Sequence, residues 1–315
     1  PNKSVIPWWI FSTSRRVPES SWQHYLSALK LLWASDSDTV ADTLGVSNPL
    51  MSRLWEPITI AVLNASTNEA SAKLLWPVIK LAFGQGEASS RPYVVKSGLT
   101  QDLVEPGIKY ITKLGGKIYL NKRLKGISTA DNEITSLIFT SNTINLSSND
   151  TVILALPPTI VSELVPEITV PFGTRAIVNA HFRLDNPIEL PGGSPLLGIV
   201  GGNAQWLFIR NDVVSVTVSA ADKLVNLELN ELANILWNDT ASALGEPALN
   251  LPPTRIIKEK RATFAQTPKN IRQRPGSTTQ YNNLFLAGDW TNTGLPATIE
   301  GAILSGHKAA NIALN

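Results

Sequence analysis

The stretch LFLAGDWTNTGLPATIEGAILSGHKAA, residues 284–310, constrains the fold of this chain more than any other part of its sequence. Residues 284–287 are continuously apolar, as in a buried strand, and Gly288-Asp289 follows at the carboxyl end of that strand. Ligands of α/β folds bind at that end of the strands. Small residues recur at helical spacing after Pro296, which lets a second backbone or a flat ring approach closely. This order of strand, turn and helix predicts one half of a cofactor-binding site.

The chemistry of the turn suits a flavin nucleotide. Gly288 allows a sharp change of backbone direction, and the Asp289 carboxylate can accept hydrogen bonds from sugar-like hydroxyl groups. Pro296 fits the first position of a helix, where its missing N–H has no cost. The free N–H groups of such a helix start are partly positive and would stabilise the negative edge of a reduced flavin. The alternative is a buried strand followed by a helix whose small residues serve packing alone.

Composition excludes several other classes of protein. A chain of 315 residues with 43% apolar and 17% charged residues is globular and long enough for two domains. A net charge of +2 without a basic cluster argues against nucleic-acid binding. The chain has no cysteine, and its three histidines stand far apart, so we expect no metal site.

Helical and strand patterns interleave along the chain. The predicted helices cover residues 20–34, 48–63, 68–83, 100–114 and 227–244. The predicted strands cover residues 117–120, 124–128, 134–140, 143–146, 151–156, 176–183, 196–201, 206–209, 213–219, 254–261 and 284–287. The run 151–156 is continuously apolar, which predicts a strand buried on both faces. Interleaved elements without a long linker favour an α/β chain with discontinuous domains.

Four further motifs, together with LAGDWTNTGLPATIEGA, carry a family resemblance. They are PWWIFSTSRRVP (7–18), RLWEPITIAVLN (53–64), RAIVNAHFRLD (175–185) and KEKRATFAQTP (258–268). The chain resembles the amine oxidase and phytoene desaturase superfamily of flavoproteins. Within it, the chain is most similar to the hydroxysqualene dehydroxylases, also called squalene-associated FAD-dependent desaturases. The resemblance covers essentially the whole chain.

This resemblance implies FAD as the cofactor and a hydrophobic triterpene as the substrate. The reaction of the family removes the hydroxyl group of hydroxysqualene and gives squalene for hopanoid biosynthesis, with reducing equivalents from reduced flavin. It also implies a bacterial, cytoplasmic protein that associates peripherally with a membrane surface. The alternatives are a carotenoid or phytoene desaturase-like enzyme, an amine oxidase, and a non-catalytic fragment or subunit.

One departure from the family pattern is large. The family begins with a strand and a G-x-G-x-x-G turn for the FAD pyrophosphate, whereas the nearest string here, GQGEAS at residues 84–89, follows a helical pattern. We therefore expect an α/β fold with an incomplete Rossmann-like FAD-binding domain, lacking its N-terminal βαβ unit, and a discontinuous α+β substrate domain. We place the substrate domain at residues 1–91 and 166–280, and the FAD-binding domain at 92–165 and 281–315. Such a chain would be inactive alone and would need a separate N-terminal FAD-binding segment as a complement.

The resemblance also assigns site residues by position. The expected FAD-binding residues are Gly288, Asp289, Trp290, Leu295, Pro296, Ala297, Thr298 and Gly301, with Leu124 near the adenine and Ala155 near the ADP part. Ordinary sheet packing is the alternative for Leu124 and Ala155. Trp55, Asn64 and Asn179 are expected to contact the substrate.

Two residues are candidates for catalysis. Asn179 and His181 share one face of a predicted strand, and His181, with an unperturbed pKa of about 6.5, could donate a proton to a leaving hydroxyl. A lone histidine on a strand can equally be structural. Glu56 precedes a proline on a predicted helix, so it is either a helix-start carboxylate or a buried acid that faces the pocket.

Tryptophan is unusually frequent, with nine residues in total, most of them in the helical third of the chain. These indole rings either fill the core or line a hydrocarbon tunnel whose mouth faces a membrane surface, where amphipathic aromatic side chains are favoured. A triterpene substrate favours the tunnel.

Overall fold

The computed structural model describes residues 7–95, 97–246 and 250–314. The α-helices are α1 (Trp22–Tyr25), α2 (Val40–Leu44), α3 (Glu56–Leu63), α4 (Ala72–Phe83), α5 (Glu105–Lys113), α6 (Pro158–Leu164), α7 (Leu229–Ala243), α8 (Pro268–Ile271) and α9 (Ile299–Ala313). The strands are β1 (Leu124–Ala130), β2 (Glu133–Phe139), β3 (Thr143–Asn145), β4 (Val152–Leu154), β5 (Thr174–Arg183), β6 (Leu196–Gly198), β7 (Trp206–Arg210), β8 (Val213–Val218), β9 (Thr254–Phe264) and β10 (Leu284–Leu286). Within those described ranges, no helix is long and apolar enough to cross a bilayer.

The helices predicted between residues 20 and 83 are present, but two of them contain a segment that is not α-helical. The first continues from α1 as a 3-10 helix, Leu26–Trp33, in which Ala28 and Leu31 are buried three residues apart. The three-residue repeat of a 3-10 helix keeps these two side chains on one face. The second opens with a π turn, Met51–Trp55, ahead of α3. Pro57, which has no N–H for the carbonyl four residues before it, explains the wider turn.

The largest sheet has five antiparallel strands in the order β6-β7-β8-β5-β9. In β5, buried and partly exposed residues alternate, as the two faces of a strand require. The buried residues of β5 are Ala176, Val178, Ala180 and Phe182. This face packs against α7, where the rings of Phe182 and Trp237 lie 5.0 Å apart. The opposite face carries polar side chains and stays outside this core.

Two smaller sheets form the other half of the described chain. β4 and β10 pair in parallel, and β1, β2 and β3 form an antiparallel sheet. Asn283 joins the two sheets, because its Oδ1 accepts from the Ile134 N–H at 2.8 Å and its Nδ2 donates to the Ile134 carbonyl at 2.9 Å. These bonds hold the β10 strand, and the turn after it, against the neighbouring sheet.

Two strand predictions are wrong in this region. Residues 117–120 form no strand, and Tyr119 and Leu120 are exposed. β4 has three residues, and Ile153 between its two buried neighbours is 40% exposed, so this strand is covered on one face only. A continuous apolar run predicts that a strand is buried, but it does not determine whether other elements pack on one face of the strand or on both.

Helix α9 begins later than predicted. Thr298 is its N-cap, and the Thr298 Oγ1 accepts a hydrogen bond from the Gly301 N–H at 3.2 Å. Pro296 therefore lies two residues before the cap, and its prediction as the first helical residue is wrong. A hydroxyl at the cap satisfies an N–H group that the first turn leaves unpaired, which a proline cannot do.

Candidate functional site

A cavity of about 460 Å³ lies at the carboxyl ends of β4 and β10. Ala155 follows β4, whereas Gly288, Asp289 and Trp290 follow β10, and all four line the cavity. Residues of β9, including Phe264, line it as well. Parallel neighbours end at the same edge of a sheet, so two turns far apart in sequence meet at one place. Four of the predicted cofactor residues thus share one cavity.

The turn after β10 requires glycine at its first position. Gly288 has a φ of 140°, and a Cβ there would lie 2.6 Å from the indole Nε1 of Trp290. That indole is buried and donates to the Leu156 carbonyl at 2.8 Å. On the other side, the Gly288 N–H donates to the Ser305 Oγ of α9 at 2.7 Å. Trp290 therefore serves the shape of the turn, with its ring packed in the core.

Asp289 presents the one acidic group of this turn to the cavity. Burial raises the pKa of its carboxyl above the ordinary value, while the positive charge of Arg274 and the N–H groups of Trp290 and Asp289 oppose the shift. A carboxylate in a cavity wall is an acceptor for hydroxyl groups. Ligand hydroxyl groups bound here would donate hydrogen bonds to the Asp289 carboxylate, in place of the bonds to water that it loses on burial.

Arg274 is a residue of this site that the sequence did not predict. It is 6% exposed, and its guanidinium donates to the carbonyls of Trp290 at 3.2 Å, Leu295 at 2.8 Å and Asp289 at 3.0 Å, and also to that of Thr291. Burial lowers its pKa to about 10, so the group stays charged at neutral pH. A single arginine in a loop forms no sequence pattern, and its partners are main-chain atoms, so no motif identifies it.

A second cavity, of about 600 Å³, lies between α3, α4 and the start of α9. Leu295, Pro296 and Thr298 line it, and the Ala297 N–H next to them donates to the Gln266 Oε1 at 2.8 Å. Gly301 is buried, and a Cβ there would lie 2.5 Å from the Pro296 carbonyl. Gly301 thus lets the loop fold back over the helix start. Seven of the ten predicted cofactor residues therefore line one or the other of two cavities, which lie at the two ends of the 289–295 loop.

Leu124 lies elsewhere. It is partly buried and packs against the core cluster that contains Ile134 and Leu284. Packing accounts for its position, and its backbone contact with adenine stays a prediction.

His181 and Asn179 lie on the polar face of β5, as their spacing predicts. The His181 Nδ1 is 2.9 Å from the Ser215 Oγ, and the Asn179 Oδ1 accepts from the Thr217 Oγ1 at 2.8 Å. Burial first, and then the charges of Arg255 and Arg210, lower the pKa of His181. The ring is therefore neutral at pH 7, which disfavours proton donation by an imidazolium. The catalytic role of His181 stays a prediction.

Glu56 and Trp55 are neighbours in sequence but face different cavities. Glu56 lines a cavity of about 470 Å³ with Arg53 and residues 198–202 of the β6–β7 turn. Trp55 lines an apolar cavity of about 340 Å³ with Trp9 and Trp76. Trp55 is 3% exposed, and its buried Nε1 has no hydrogen-bond partner within the described ranges. The helical part of the chain thus contains an apolar cavity walled by tryptophans.

Asn64 ends α3 in the left-handed conformation, with a φ of 49°. Its Oδ1 accepts from the Ala220 N–H at 2.6 Å, and its Nδ2 donates to the Thr263 Oγ1 at 3.0 Å. These bonds fasten α3 to the five-stranded sheet. They already engage both polar atoms of the side chain that was expected to contact substrate.

Comparisons with known proteins identify the class of protein to which this fold and these cavities belong. The family profile described as flavin containing amine oxidoreductase matches residues 18–314. An oxidoreductase from Methanosarcina mazei shares the fold, with a TM-score of 0.69 at 13% identity over 93% of this chain and 73% of its own. A triple mutant of putrescine oxidase gives a TM-score of 0.64 at 15% identity over 93% of this chain and 73% of its own. Fold and profile together define a flavin-dependent oxidoreductase.

Curated relatives narrow this class. The hydroxysqualene dehydroxylase of Sinorhizobium fredii is 40% identical over 98% of this chain and 73% of its own length, and that of Rhodopseudomonas palustris gives the same values. The 15-cis-phytoene desaturase of Glycine max is 24% identical over 72% of this chain and 44% of its own length. The chain belongs to the flavin-containing amine oxidoreductase family, in the branch formed by the hydroxysqualene dehydroxylases.

Proposed function

We propose that the chain binds FAD and catalyses the reductive removal of the hydroxyl group of hydroxysqualene, giving squalene for hopanoid biosynthesis. The observation that carries this proposal is the similarity to hydroxysqualene dehydroxylases along almost the whole chain. The Gly288-Asp289 turn at the head of a cavity supports the cofactor, and the apolar cavity in the helical part supports a hydrocarbon substrate. In this proposal residues 92–165 and 281–315 serve the cofactor, while 1–91 and 166–280 serve the substrate.

The residues of the two cavities fit FAD. Gly288 lines the first cavity with main chain alone, and Asp289 offers a carboxylate for ribityl or ribose hydroxyl groups. Ala155 would lie along the ADP part, and the segment from Leu295 to the start of α9 would lie along the flavin ring. When bound and reduced by an external electron donor, the flavin would supply the electron pair of the reduction as hydride.

The contribution of the chain to the reaction is position and the exclusion of water. Loss of a hydroxyl group from carbon leaves a cationic centre that water would recapture, and apolar walls such as Trp55 and Trp76 keep water away. Glu56 and His181 stay the proposed groups for assistance to the leaving hydroxyl. Because Glu56 lines a different cavity from Trp55, its part in the reaction requires the hydroxyl end of the substrate to extend beyond the apolar cavity. Because the His181 Nδ1 is engaged by Ser215, a hydrogen bond from His181 to the substrate would use Nε2.

We also propose that the rim of the apolar cavity meets a membrane, the place where a triterpene is stored. Phe11, Leu26 and Leu29 line the cavity and are nevertheless 48%, 47% and 48% exposed. Arg15, Arg16 and Lys30 on the same segment supply positive charge for anionic headgroups. Co-sedimentation with vesicles that contain anionic lipid tests this, and Leu29→Glu is expected to weaken it.

A further part of the proposal is that a segment with a G-x-G-x-x-G turn completes the FAD site, and that these 315 residues are inactive without it. Helix α5 supports this. None of its residues is buried, and its apolar side chains Ile108 and Ile111 are 41% and 46% exposed. An amphipathic helix normally packs its apolar side chains against another element. Mixing the chain with such a segment should restore the flavin absorbance band, and stoichiometric FAD on the chain alone would contradict the requirement.

Product analysis tests the function as a whole. The chain with FAD, its complementing segment and a flavin reductant is incubated with hydroxysqualene without oxygen, and the lipids are separated by gas chromatography with mass detection. Squalene is the expected product. In parallel assays with oxidised FAD and with oxygen or a quinone as electron acceptor, desaturated products from phytoene, or hydrogen peroxide from an amine in oxygen, would favour the two enzymatic alternatives. FAD binding without conversion of any of these substrates would favour the non-catalytic alternative.

A further inference from the structure

The guanidinium of Arg274 sits inside the 289–295 loop, whose two ends line the two cavities. Every hydrogen-bond acceptor named for it is a main-chain carbonyl of that loop: Asp289, Trp290, Thr291 and Leu295. We propose that Arg274 is a positioning residue that sets the shape of the 289–295 loop, so that the Asp289 carboxylate and the start of α9 meet the cofactor together. The inference rests on the proposed binding of FAD.

The geometry of the contacts supports a role at both ends of the loop. Three of the carbonyls belong to residues 289–291, beside the first cavity, and the fourth belongs to Leu295, which lines the second cavity. The planar guanidinium is rigid, so a single side chain fixes the separation of these two ends. Its charged centre also lies 5.5 Å from the ring centroid of Phe264, at the end of β9. Arg274 thereby fixes the position of the loop relative to Phe264, which lines the first cavity.

Lysine cannot reproduce these contacts. Arginine presents five N–H donors in a fixed plane, whereas lysine presents three donors on one freely turning ammonium group. Four carbonyls arranged around a plane need the first geometry. Arg274→Lys keeps the charge and loses the geometry, so it separates a general effect of positive charge from the positioning of the loop.

The reverse side of the loop offers a chemical test. A cavity of about 440 Å³ is lined by Arg274, Asn292 and Gly294, which gives small solutes a route toward this side chain. A truncated variant, Arg274→Ala, leaves a space into which guanidinium or methylguanidinium can enter from this side. Restoration by an added guanidinium ion is a result that general loss of packing does not produce.

The experiment uses Arg274→Lys, Arg274→Ala and the control Arg272→Lys, whose wild-type side chain is exposed and donates to the Asp36 carbonyl. Two readouts are taken at a temperature where circular dichroism shows folded protein: amide hydrogen exchange of residues 289–295 in the absence of FAD, and FAD affinity by flavin fluorescence with the complementing segment present. In both Arg274 variants we expect faster exchange confined to this loop, and FAD affinity weaker by about tenfold or more. Methylguanidinium should restore slow exchange and FAD affinity in Arg274→Ala alone.

Unchanged exchange in the loop, or wild-type FAD affinity in folded Arg274→Lys, would overturn the inference. If Arg274→Ala does not fold, Arg274→Lys carries the same two measurements, and refolding of the alanine variant with methylguanidinium replaces the rescue. Absence of FAD binding by the wild-type protein would instead count against the proposed function, while loop exchange in the variants would still decide the role of Arg274 in the loop.

Discussion

The side chain of Gln266 joins Leu63 to Ala297 across the interior. It is fully buried, its Nε2 donates to the Leu63 carbonyl at 2.9 Å, and its Oε1 accepts from the Ala297 N–H at 2.8 Å. Leu63 ends α3, and Ala297 belongs to the segment that leads into α9. One amide therefore holds the two sides of the second cavity at a fixed separation.

Replacement of this amide should be costly. Gln266→Met is expected to leave the buried Leu63 carbonyl without a partner, at about 1–3 kcal/mol, and the partly buried Ala297 N–H without one at a smaller cost. Thermal unfolding measures the loss, and Gln280→Met, at an exposed glutamine, is the control expected to change stability by no more than about 0.5 kcal/mol. Equal melting temperatures for the two variants would show that the Gln266 amide does not hold these segments together.

Two glycines of α9 should respond in opposite directions to alanine. At Gly301 a Cβ would lie 2.5 Å from the Pro296 carbonyl, whereas at Gly306 a Cβ would meet no atom within 4 Å. Gly301→Ala is expected to lower the melting temperature, because the backbone of the preceding loop must move. Gly306→Ala should stabilise the helix by up to about 1 kcal/mol, as alanine has the higher helix propensity. Stabilisation by both substitutions would show that the contact with Pro296 is readily relieved.

Asp289→Asn should separate stability from cofactor binding. Because burial raises the pKa of Asp289 above 3.8, ionised Asp289 is disfavoured in the folded chain relative to the unfolded chain. The asparagine variant without FAD is therefore expected to melt higher at pH 7, and the gain should shrink as the pH falls toward 3.8. Its FAD affinity should fall by about tenfold, since a hydrogen bond to a charged acceptor is lost. A lower melting temperature together with unchanged affinity would remove Asp289 from the site.

His181 should titrate below its ordinary value of 6.5. With a lowered folded pKa, the unfolded chain takes up the proton first, so the contribution of His181 to stability is complete above pH 6.5 and declines as the pH falls toward the folded pKa. Proton magnetic resonance of the ring measures the midpoint. Arg255→Met removes a neighbouring positive charge and should raise that midpoint, whereas Arg272→Met, away from the ring, should not. A midpoint at or above 6.5 in the wild-type chain would contradict the assigned environment.

Filling the apolar cavity should affect the substrate and spare the flavin. Ala28 is 8% exposed and lines this cavity, so Ala28→Val and Ala28→Phe reduce its volume in two steps. We expect KM for hydroxysqualene to rise in the same order, with FAD content unchanged. An unaltered KM in a folded Ala28→Phe variant would place the hydrocarbon chain elsewhere.

The sequence predicts those parts of the site whose chemistry is local. Gly288 and Asp289 stand next to each other after an apolar run, so their turn is readable, and the two residues meet Ala155 through ordinary parallel pairing. Gln266 could not be predicted, because the Leu63 carbonyl it binds lies 203 residues away. Arg274 has the same difficulty, since its acceptors are main-chain oxygens that every residue type provides.

Helix starts and strand cover show a second limit. Pro296 favours the first turn of a helix, and Thr298 favours the N-cap position. The helix begins after Thr298, because its hydroxyl can accept a hydrogen bond from the first turn. For Ile153, the apolar pattern expresses a preference for burial, but the amount of cover depends on elements that pack from far along the chain. Local propensity decides the type of element, and tertiary contacts decide where it ends.

The alternation along β5 has a consequence for how this family can diverge. Ala180 and Phe182 belong to the core beneath the sheet, while Asn179 and His181, between and beside them, stand on the other face. Mutations at these two sets of positions should therefore change the free energy of unfolding nearly independently, because the side chains of adjacent residues contact different neighbours. The residues at positions 179 and 181 can therefore change during evolution for new substrates, while the core formed by Ala180 and Phe182 keeps the sheet folded.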